Sequence, residues 1–460
     1  MCVPAEQEKI VGVVPAEKAS CAPVRPAGAE KLLWRLHGAE YDFEPFVKSH
    51  PGGEIAIRLG QGIDATLLFA SYHAVGKGRA WATLECFRVG AKLPEPPAPS
   101  PFRDDVEKML ESHFNSAEPR RVSKASASHI ALMALFGVLQ LVGWVAWARG
   151  ELLGLLLLPV FHWLFAVNVS HDATHFACSK SPLLNSLLSY TSLPYFYSPV
   201  TWYAQHVVMH HTHANEVNSD PDLQHFQPMK IHTLDTRVHK NETHTLLDYV
   251  KLLGTGLHLS LQIPVAASGV TTASYAKWYK EMYVPAVFIP PGLAAIRDFR
   301  MLSLLGPAAF VFALFYPYWA VQGTFLYRSA FAFIPPTACS AIFAVITQVS
   351  HVQPEAQTHA LAIEPDFLKR QALTSVDYCA DSRLWGVLTG GLNVQSLHHL
   401  VPCVHSSHYA ALYPQFRVIC DRHGVKLAER RGLLHAARTA LSHVWRLNHS
   451  KRMQLMKELL

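Results

Sequence analysis

Charge is scarce in this chain. Lys, Arg, Asp and Glu together supply 16% of its 460 residues, against roughly 25% in a soluble domain. Apolar residues supply 50% and the mean hydropathy is +0.13. This balance excludes an ordinary soluble enzyme and, for most of the chain, disorder. No Lys/Arg run with interleaved aromatics occurs in the first 420 residues, and the net charge is only +6, so no nucleic-acid partner is expected. The eight cysteines, at 2, 21, 86, 178, 339, 379, 403 and 420, include no CxxC pair. They read as reduced thiols, not as a disulfide framework. The N-terminus lacks a basic region followed by an apolar run and begins Met-Cys, so neither a secretory signal nor myristoylation is expected.

What the chain has in quantity is histidine, 27 copies, and long apolar runs. A helix needs about 20 apolar residues to cross a bilayer. Segment 129–148 holds no acidic or basic residue, 152–169 is similar, and only Arg149-Gly150-Glu151 separates them. That predicts a tight helical hairpin. Segments 301–320 and 330–350 predict a second, joined by a loop whose only charge is Arg328. Segments 181–200 and 246–268 are apolar but broken by Pro, Ser, Gly or charge, and are assigned to the membrane interface.

Four spans return both ends to one side. The long segments carry Arg120, Arg121, Lys124, Lys277, Lys280, Arg297 and Arg300, which puts those segments and both termini in the cytosol. The expected organisation is a flexible leader at 1–29 and a small folded domain at 30–92. A proline-rich linker with an interfacial helix follows at 93–127, apolar at 102, 106, 109, 110 and 114. A membrane domain spans 128–415. Residues 416–460 form a basic cytosolic helical tail, expected to be solvated.

The histidines are not scattered evenly. His50 opens His-Pro-Gly-Gly (50–53), Gly-Ile-Asp-Ala-Thr follows at 62–66, and His73 closes FASYH. Glycines after a histidine let backbone approach a flat ligand, and proline fixes the turn. His-Pro-Gly-Gly alone reads as a surface turn. The full pattern YDFEPFVKSHPGG…GIDAT…FASYH resembles cytochrome b5 over residues 31–90. The resemblance implies haem b with His50 and His73 as axial ligands. An iron so held has no vacant position, so it would pass electrons and not activate oxygen.

Eleven histidines lie between 162 and 244. Three clusters stand out: HDATH (His171, His175), HVVMHH (His206, His210, His211) and QSLHH (Gln395, His398, His399). Residues three or four apart share a helix face. In the expected topology all three clusters lie on the cytosolic side, where His351, ending TQVSH, joins them. They could surround two metal ions. Imidazole suits Fe, Zn, Cu and Ni alike, but a tethered electron carrier points to a redox metal, and zinc does not change oxidation state. A lone HxxxH is more often only a helix face; three clusters on one side reverse that reading.

Taken together, the cytochrome b5 pattern, HDxxH, HxxxHH running into HHTHANEVNSDPDL (210–223), and GGLNVQSLHHLVP (390–402) resemble the front-end fatty acyl desaturases over roughly residues 31–415. The resemblance implies a small α+β cytochrome b5 domain, then an all-α polytopic membrane domain with about four transmembrane helices and a cytosolic histidine-rich cap. It implies two non-haem irons held by His171, His175, His206, His210, His211, His398 and His399, with His351 as a further ligand. Gln395 stands where an all-histidine box has its first His. Asp172, Asn215, Asn393 and Gln395 are candidates to orient a ligand or bound water, with a purely structural hydrogen bond equally open. His213, His225, His232, His239 and His244 match no box and are left as ordinary polar residues. Trp202 and Tyr203 are expected to pack at the membrane interface.

The implied reaction inserts a cis double bond into an acyl chain, between an existing double bond and the carboxyl end. It uses O2 as co-substrate and electrons from the chain's own haem domain, supplied by NADH-cytochrome b5 reductase. The substrate, an acyl-CoA or acyl lipid, would enter from membrane lipid. The implied location is the endoplasmic reticulum membrane, multi-pass, with the active site cytosolic. The alternatives are a sphingoid long-chain-base desaturase, a lipid hydroxylase, and a non-catalytic haem-binding electron carrier.

Overall fold

A computed structural model describes residues 31–73, 77–90, 92–94, 100–116, 122–217, 219–224, 229–234, 250, 252–254, 258–268, 288–357 and 364–459. The leader at 1–29, most of the proline run, His225, His239, His244, Arg120, Arg121, Lys277 and Lys280 lie outside the described residues.

The N-terminal domain is built on an antiparallel sheet in the order β1 (Trp34–Leu36), β2 (Ala39–Tyr41), β3 (Arg88–Val89). Strand side chains alternate between faces. Trp34, Leu36, Ala39 and Tyr41 accordingly share the buried face, while Arg35 and Glu40 point out. His37 and Gly38 join β1 to β2 with φ of 51° and 75°, the left-handed pair a two-residue hairpin needs. Helices α1 (Gly53–Arg58), α2 (Thr66–Tyr72) and α3 (Lys77–Phe87) complete the domain. His50 follows a short helical turn at Glu44–Ser49, and His73 follows α2 directly.

Among the described residues four helices are long and apolar enough to cross a membrane: Ala127–Ala148, Leu152–Thr174, Phe299–Ala320 and Phe325–Gln348. At 1.5 Å per residue each reaches at least the ~30 Å of a bilayer core. Leu135, Val138, Leu141, Phe312, Phe315 and Phe333 are exposed along them, as lipid-facing side chains would be. Within the first hairpin the backbones touch. A Cβ on Gly154 would sit 2.3 Å from the Trp147 backbone nitrogen, and one on Gly143 2.9 Å from that of Leu158. Small residues at such crossings are how helices pack in lipid, where the solvent drives no apolar association. The turns of the two hairpins meet at one end: Tyr327 donates to the Gly150 carbonyl at 2.6 Å, and Gly150 packs on Val321.

The cap lies beyond the other ends of the hairpins. It contains α4 (Pro101–Phe114), the parallel pair β4 (Val376–Tyr378) and β5 (Ala428–Arg430), α5 (Tyr409–Arg422) and α6 (Leu433–Leu459). Two expectations change here. The apolar face of α4, with Phe102, Val106, Met109 and Leu110, is not presented to a membrane interface; it is buried with Tyr409, Leu412, Tyr413 and Phe416. Nor is the basic tail a solvated helix. Ala436, Ala440 and Val444 are buried, and Gln353 donates to the Ala436 carbonyl at 2.8 Å. Helix α5 also runs unbroken across residue 415, so no domain boundary falls there. Both helices pack on distant segments, which their own periodicity could not reveal.

Candidate metal centre

The eight predicted histidines come together. His171, His175, His206 and His398 form one buried group and His210, His351 and His399 a second. His211 stands between them, its Nε2 3.2 Å from that of His206 and its ring stacked on His399 at 4.4 Å.

Local backbone geometry produces this convergence: the first and third clusters lie on α-helical turns as expected, with the His175 N–H on the His171 carbonyl, and the second departs from that spacing. Tyr203–His210 is a π-helix, and the His211 N–H donates to the carbonyl of His206. Ala166–Ser170 is another, closed by the His171 N–H on Ala166. Widened i→i+5 turns re-phase the residues that follow and are frequent at functional sites. Here they place His206 and His211 one turn apart and aim His171 inward. The third cluster sits on α-helix Gln395–Leu400. A left-handed turn at Gly390 and Gly391 precedes it, where a Cβ on Gly390 would meet the Val167 carbonyl at 2.4 Å.

The rings fit metal ions. The His206 Nε2 lies 3.1 Å from His171 Nε2, 3.0 Å from His175 Nε2 and 3.2 Å from His211 Nε2. One imidazole nitrogen cannot satisfy three others by hydrogen bonds, since it offers either one proton or one lone pair. The His398 Nε2 is buried with no hydrogen-bond partner among the described residues. The outer nitrogens divide: among the described residues those of His171, His206 and His211 meet no hydrogen-bond partner, whereas others do. His210 Nδ1 donates to Asp220 at 3.0 Å, His351 Nδ1 to the Thr374 carbonyl at 3.2 Å, and His399 Nδ1 to Gln371 Oε1 at 3.2 Å. His175 Nδ1 meets the Tyr72 hydroxyl at 2.6 Å. A proton held on Nδ1 leaves Nε2 as the ligating nitrogen, the usual arrangement around metal-bound histidine.

Burial and the neighbouring rings hold His175, His206, His211, His398 and His399 well below the ordinary imidazole range. They are neutral at pH 7, the ligating form. Burial also lowers His351, to about 4. His210 differs: burial opposes its charge, but Asp220 and Asp222 outweigh that and push it up to about 9.

The four polar candidates divide. The Gln395 amide lies 3.0 Å from His351 Nε2, inside the second group. Asp172 accepts from Ser406 Oγ at 2.6 Å and from His405 Nε2 at 3.2 Å, and is 3.6 Å from His171 Nδ1. It ties the first cluster to the cap. Asn215 donates to the carbonyls of Thr374 and His351, and so shapes the His351 loop from outside. Asn393 donates to the Cys379 carbonyl and accepts from Thr389, a structural role away from the rings. His213 and His232 stay outside both groups. Asp220, Gln371 and Tyr72 were missed; only Asp220 had a local signal, in the Asp-Pro-Asp that follows the second cluster.

Trp202 corrects an expectation. It is buried and stacks on His206 at 4.3 Å, not at a membrane interface. Tyr203 is buried against Phe176, 5.7 Å between rings. A cavity walled by Trp163, Val167, Phe196, Tyr197, Trp202 and Phe343 also touches His171, His206, His210, His351 and Gln395. A small apolar-walled cavity therefore touches both histidine groups.

In the N-terminal domain the rings of His50 and His73 lie 6.4 Å apart between centroids. An iron with two nitrogen bonds of roughly 2 Å fills such a gap. The His50 Nδ1 faces the Gly53 carbonyl at 3.3 Å, which again leaves Nε2 to ligate. Phe69 stacks on His73 at 4.3 Å.

Comparison with known proteins agrees with this geometry. Residues 143–431 match the fatty acid desaturase family, and residues 25–114 the cytochrome b5-like heme/steroid binding domain. An acyl-lipid omega-13 desaturase of Chlamydomonas reinhardtii is 34% identical, over 90% of this chain and 93% of its own. An acyl-lipid (8-3)-desaturase of Mortierella alpina is 25% identical over 90% and 93%. An acyl-lipid (7-3)-desaturase of Diacronema lutheri is 30% identical over 84% of each. With a haem-type domain packed beside a histidine centre that four apolar helices support, this chain belongs to the fatty acid desaturase family, as an oxidoreductase with its own cytochrome b5 domain.

Proposed function

We propose that the chain is a front-end fatty acyl desaturase. It would place a cis double bond in an already unsaturated acyl chain carried on a lipid or on CoA. The observation that carries this reading is the convergence of the eight histidines into two buried groups, beside a domain of the cytochrome b5 type. An alkyl chain offers no polar handle, so side chains beside the reacting carbons would have to hold it by shape and exclude water. Trp163, Phe196, Trp202 and Phe343 are suited to that.

His171, His175, His206, His211 and His398 would hold one iron, and His210, His351 and His399, with Gln395 beside them, a second. Iron bound there would supply oxygen activation and removal of two hydrogens from adjacent methylenes, with water as the other product. The protein's own part is orientation. Asp220, Gln371 and the Thr374 carbonyl fix ring tautomers, and Asp172 holds the first cluster against the cap. Haem b on His50 and His73 would accept one electron at a time from NADH-cytochrome b5 reductase. The setting would be the endoplasmic reticulum membrane, with the cap, the haem domain and both termini cytosolic.

The test is expression in a host that lacks polyunsaturated lipids, with single fatty acids fed and double bonds located in the products. New double bonds on the carboxyl side of existing ones are expected. Double bonds confined to sphingoid bases, hydroxylated products, or no lipid product at all would each overturn the proposal.

A further inference from the structure

The haem domain is docked, and its docking is specific. Gly53, at φ +86°, backs onto Pro182; a Cβ there would lie 2.5 Å from the proline Cβ. The Gly292 N–H donates to the Gln61 carbonyl at 3.2 Å. Val200, Ala204, Val207 and Val208, from the stretch bearing the second histidine cluster, share one core with Trp34 and Tyr41.

Within that contact one residue stands out. Tyr72 ends α2 and immediately precedes His73. Its ring lies near-parallel to that of His175, 6.2 Å between centroids at 20°, and edge-on to Phe176. Its hydroxyl is 2.6 Å from His175 Nδ1, and His175 Nε2 in turn faces His206 Nε2 at 3.0 Å. One peptide link, one side chain and one hydrogen bond thus connect a haem-side histidine to the histidine centre.

We propose that Tyr72 is the positioning residue that couples the haem domain to the metal centre. This rests on the reading of the haem domain as electron donor. With Nε2 of His175 on a metal, the remaining ring proton sits on Nδ1 and is donated to the phenol oxygen, so Tyr72 fixes that tautomer. The same bond holds α2, and with it His73, at one separation from the centre. A haem held by His50 and His73 would give up one electron per transfer, and an iron held by the histidine centre would accept it. No bond forms or breaks, the Nδ1 proton stays, and Tyr72 itself is not oxidised. The electrons come from a reduced nicotinamide through its flavin reductase.

The substitution Tyr72→Phe keeps the ring and removes the hydroxyl. In the full-length holoprotein we expect an unchanged low-spin haem spectrum and unchanged haem reduction by NADH and reductase, while non-haem iron is lost to a chelator more readily, as at a ligating histidine whose outer nitrogen loses its partner. Reoxidation of ferrous haem on mixing with substrate and O2 should slow by roughly 10–100-fold, the usual effect of losing such a partner. Turnover driven by a small dye reductant that reaches the centre directly, measured on iron-replete protein, should fall by much less than reductase-driven turnover. Amide exchange across residues 66–73 of the resting protein should rise. Wild-type reoxidation in Tyr72→Phe would overturn the proposal. Dye-driven turnover falling as far as reductase-driven turnover would overturn it too, since that marks a structural lesion of the centre. If ferrous haem in the wild-type protein itself is not reoxidised by substrate and O2, the donor reading fails, whatever Tyr72 does.

Discussion

His210 and Asp220 illustrate how single residues set the chemistry of the site. The carboxylate lies 3.0 Å from Nδ1 and is itself buried. It fixes which nitrogen of His210 turns inward, and it does so from ten residues further along the chain. Asp220→Ala removes that acceptor and leaves the imidazole free to rotate or change tautomer. Non-haem metal retention should weaken by roughly 10–100-fold, read as iron lost to a chelator, while the haem spectrum stays unchanged. His399→Ala acts one step closer. Its Nε2 faces His351 at 3.2 Å, so its loss should empty the second group and abolish desaturation with haem still bound. Product yield from fed fatty acids, with iron analysis on the same preparation, checks this. Desaturation persisting in His399→Ala would remove it from the ligand set.

Helices carry the second level of the argument. The four spans were legible because lipid leaves no alternative to a long apolar helix; the expected 129–148 and 301–320 differ from the observed helices by only two residues at their starts. The histidine clusters were legible because their residue types repeat at close spacing. The π-turns at 166–170 and 203–210 were not. They depend on how each helix meets its neighbours, and nothing in AVNVS or YAQHVVMH announces an i→i+5 ladder. The docking of Phe102, of Ala436 and of Trp202 was hidden for the same reason: each partner lies far away in sequence. At this scale Gly154 gives a clean test. A side chain there meets the Trp147 backbone within 2.3 Å, where only a main-chain shift gives relief. Gly154→Val should destabilise the protein by about 1–3 kcal/mol through overpacking. Gly386→Ala, in a helix with open space around it, should stabilise it by roughly 0.5–1 kcal/mol. Thermal denaturation in detergent compares the two; equal effects would mean the hairpin crossing is looser than described.

At the scale of the whole molecule, the histidine centre needs everything at once. Two hairpins supply its floor, the cap holds the Gln395–Leu400 helix, and the haem domain closes one side. Such an assembly demands that all of its soluble parts share one side of the membrane. Single cysteines at Gln322, in the exposed second hairpin turn, and at Leu434, 87% exposed on the tail helix, should label from opposite sides in sealed microsomes. The background must first be cleared of reactive native thiols. Labelling of both from one side would break the four-span topology. The measurement that bears most directly on the central claim is the metal content of the purified full-length chain, with haem and non-haem iron counted on the same sample. Eight converging histidines predict about two non-haem irons per chain, the count of a paired-metal site, and His50 with His73 predicts one haem. An active preparation holding haem but no other iron would contradict the account.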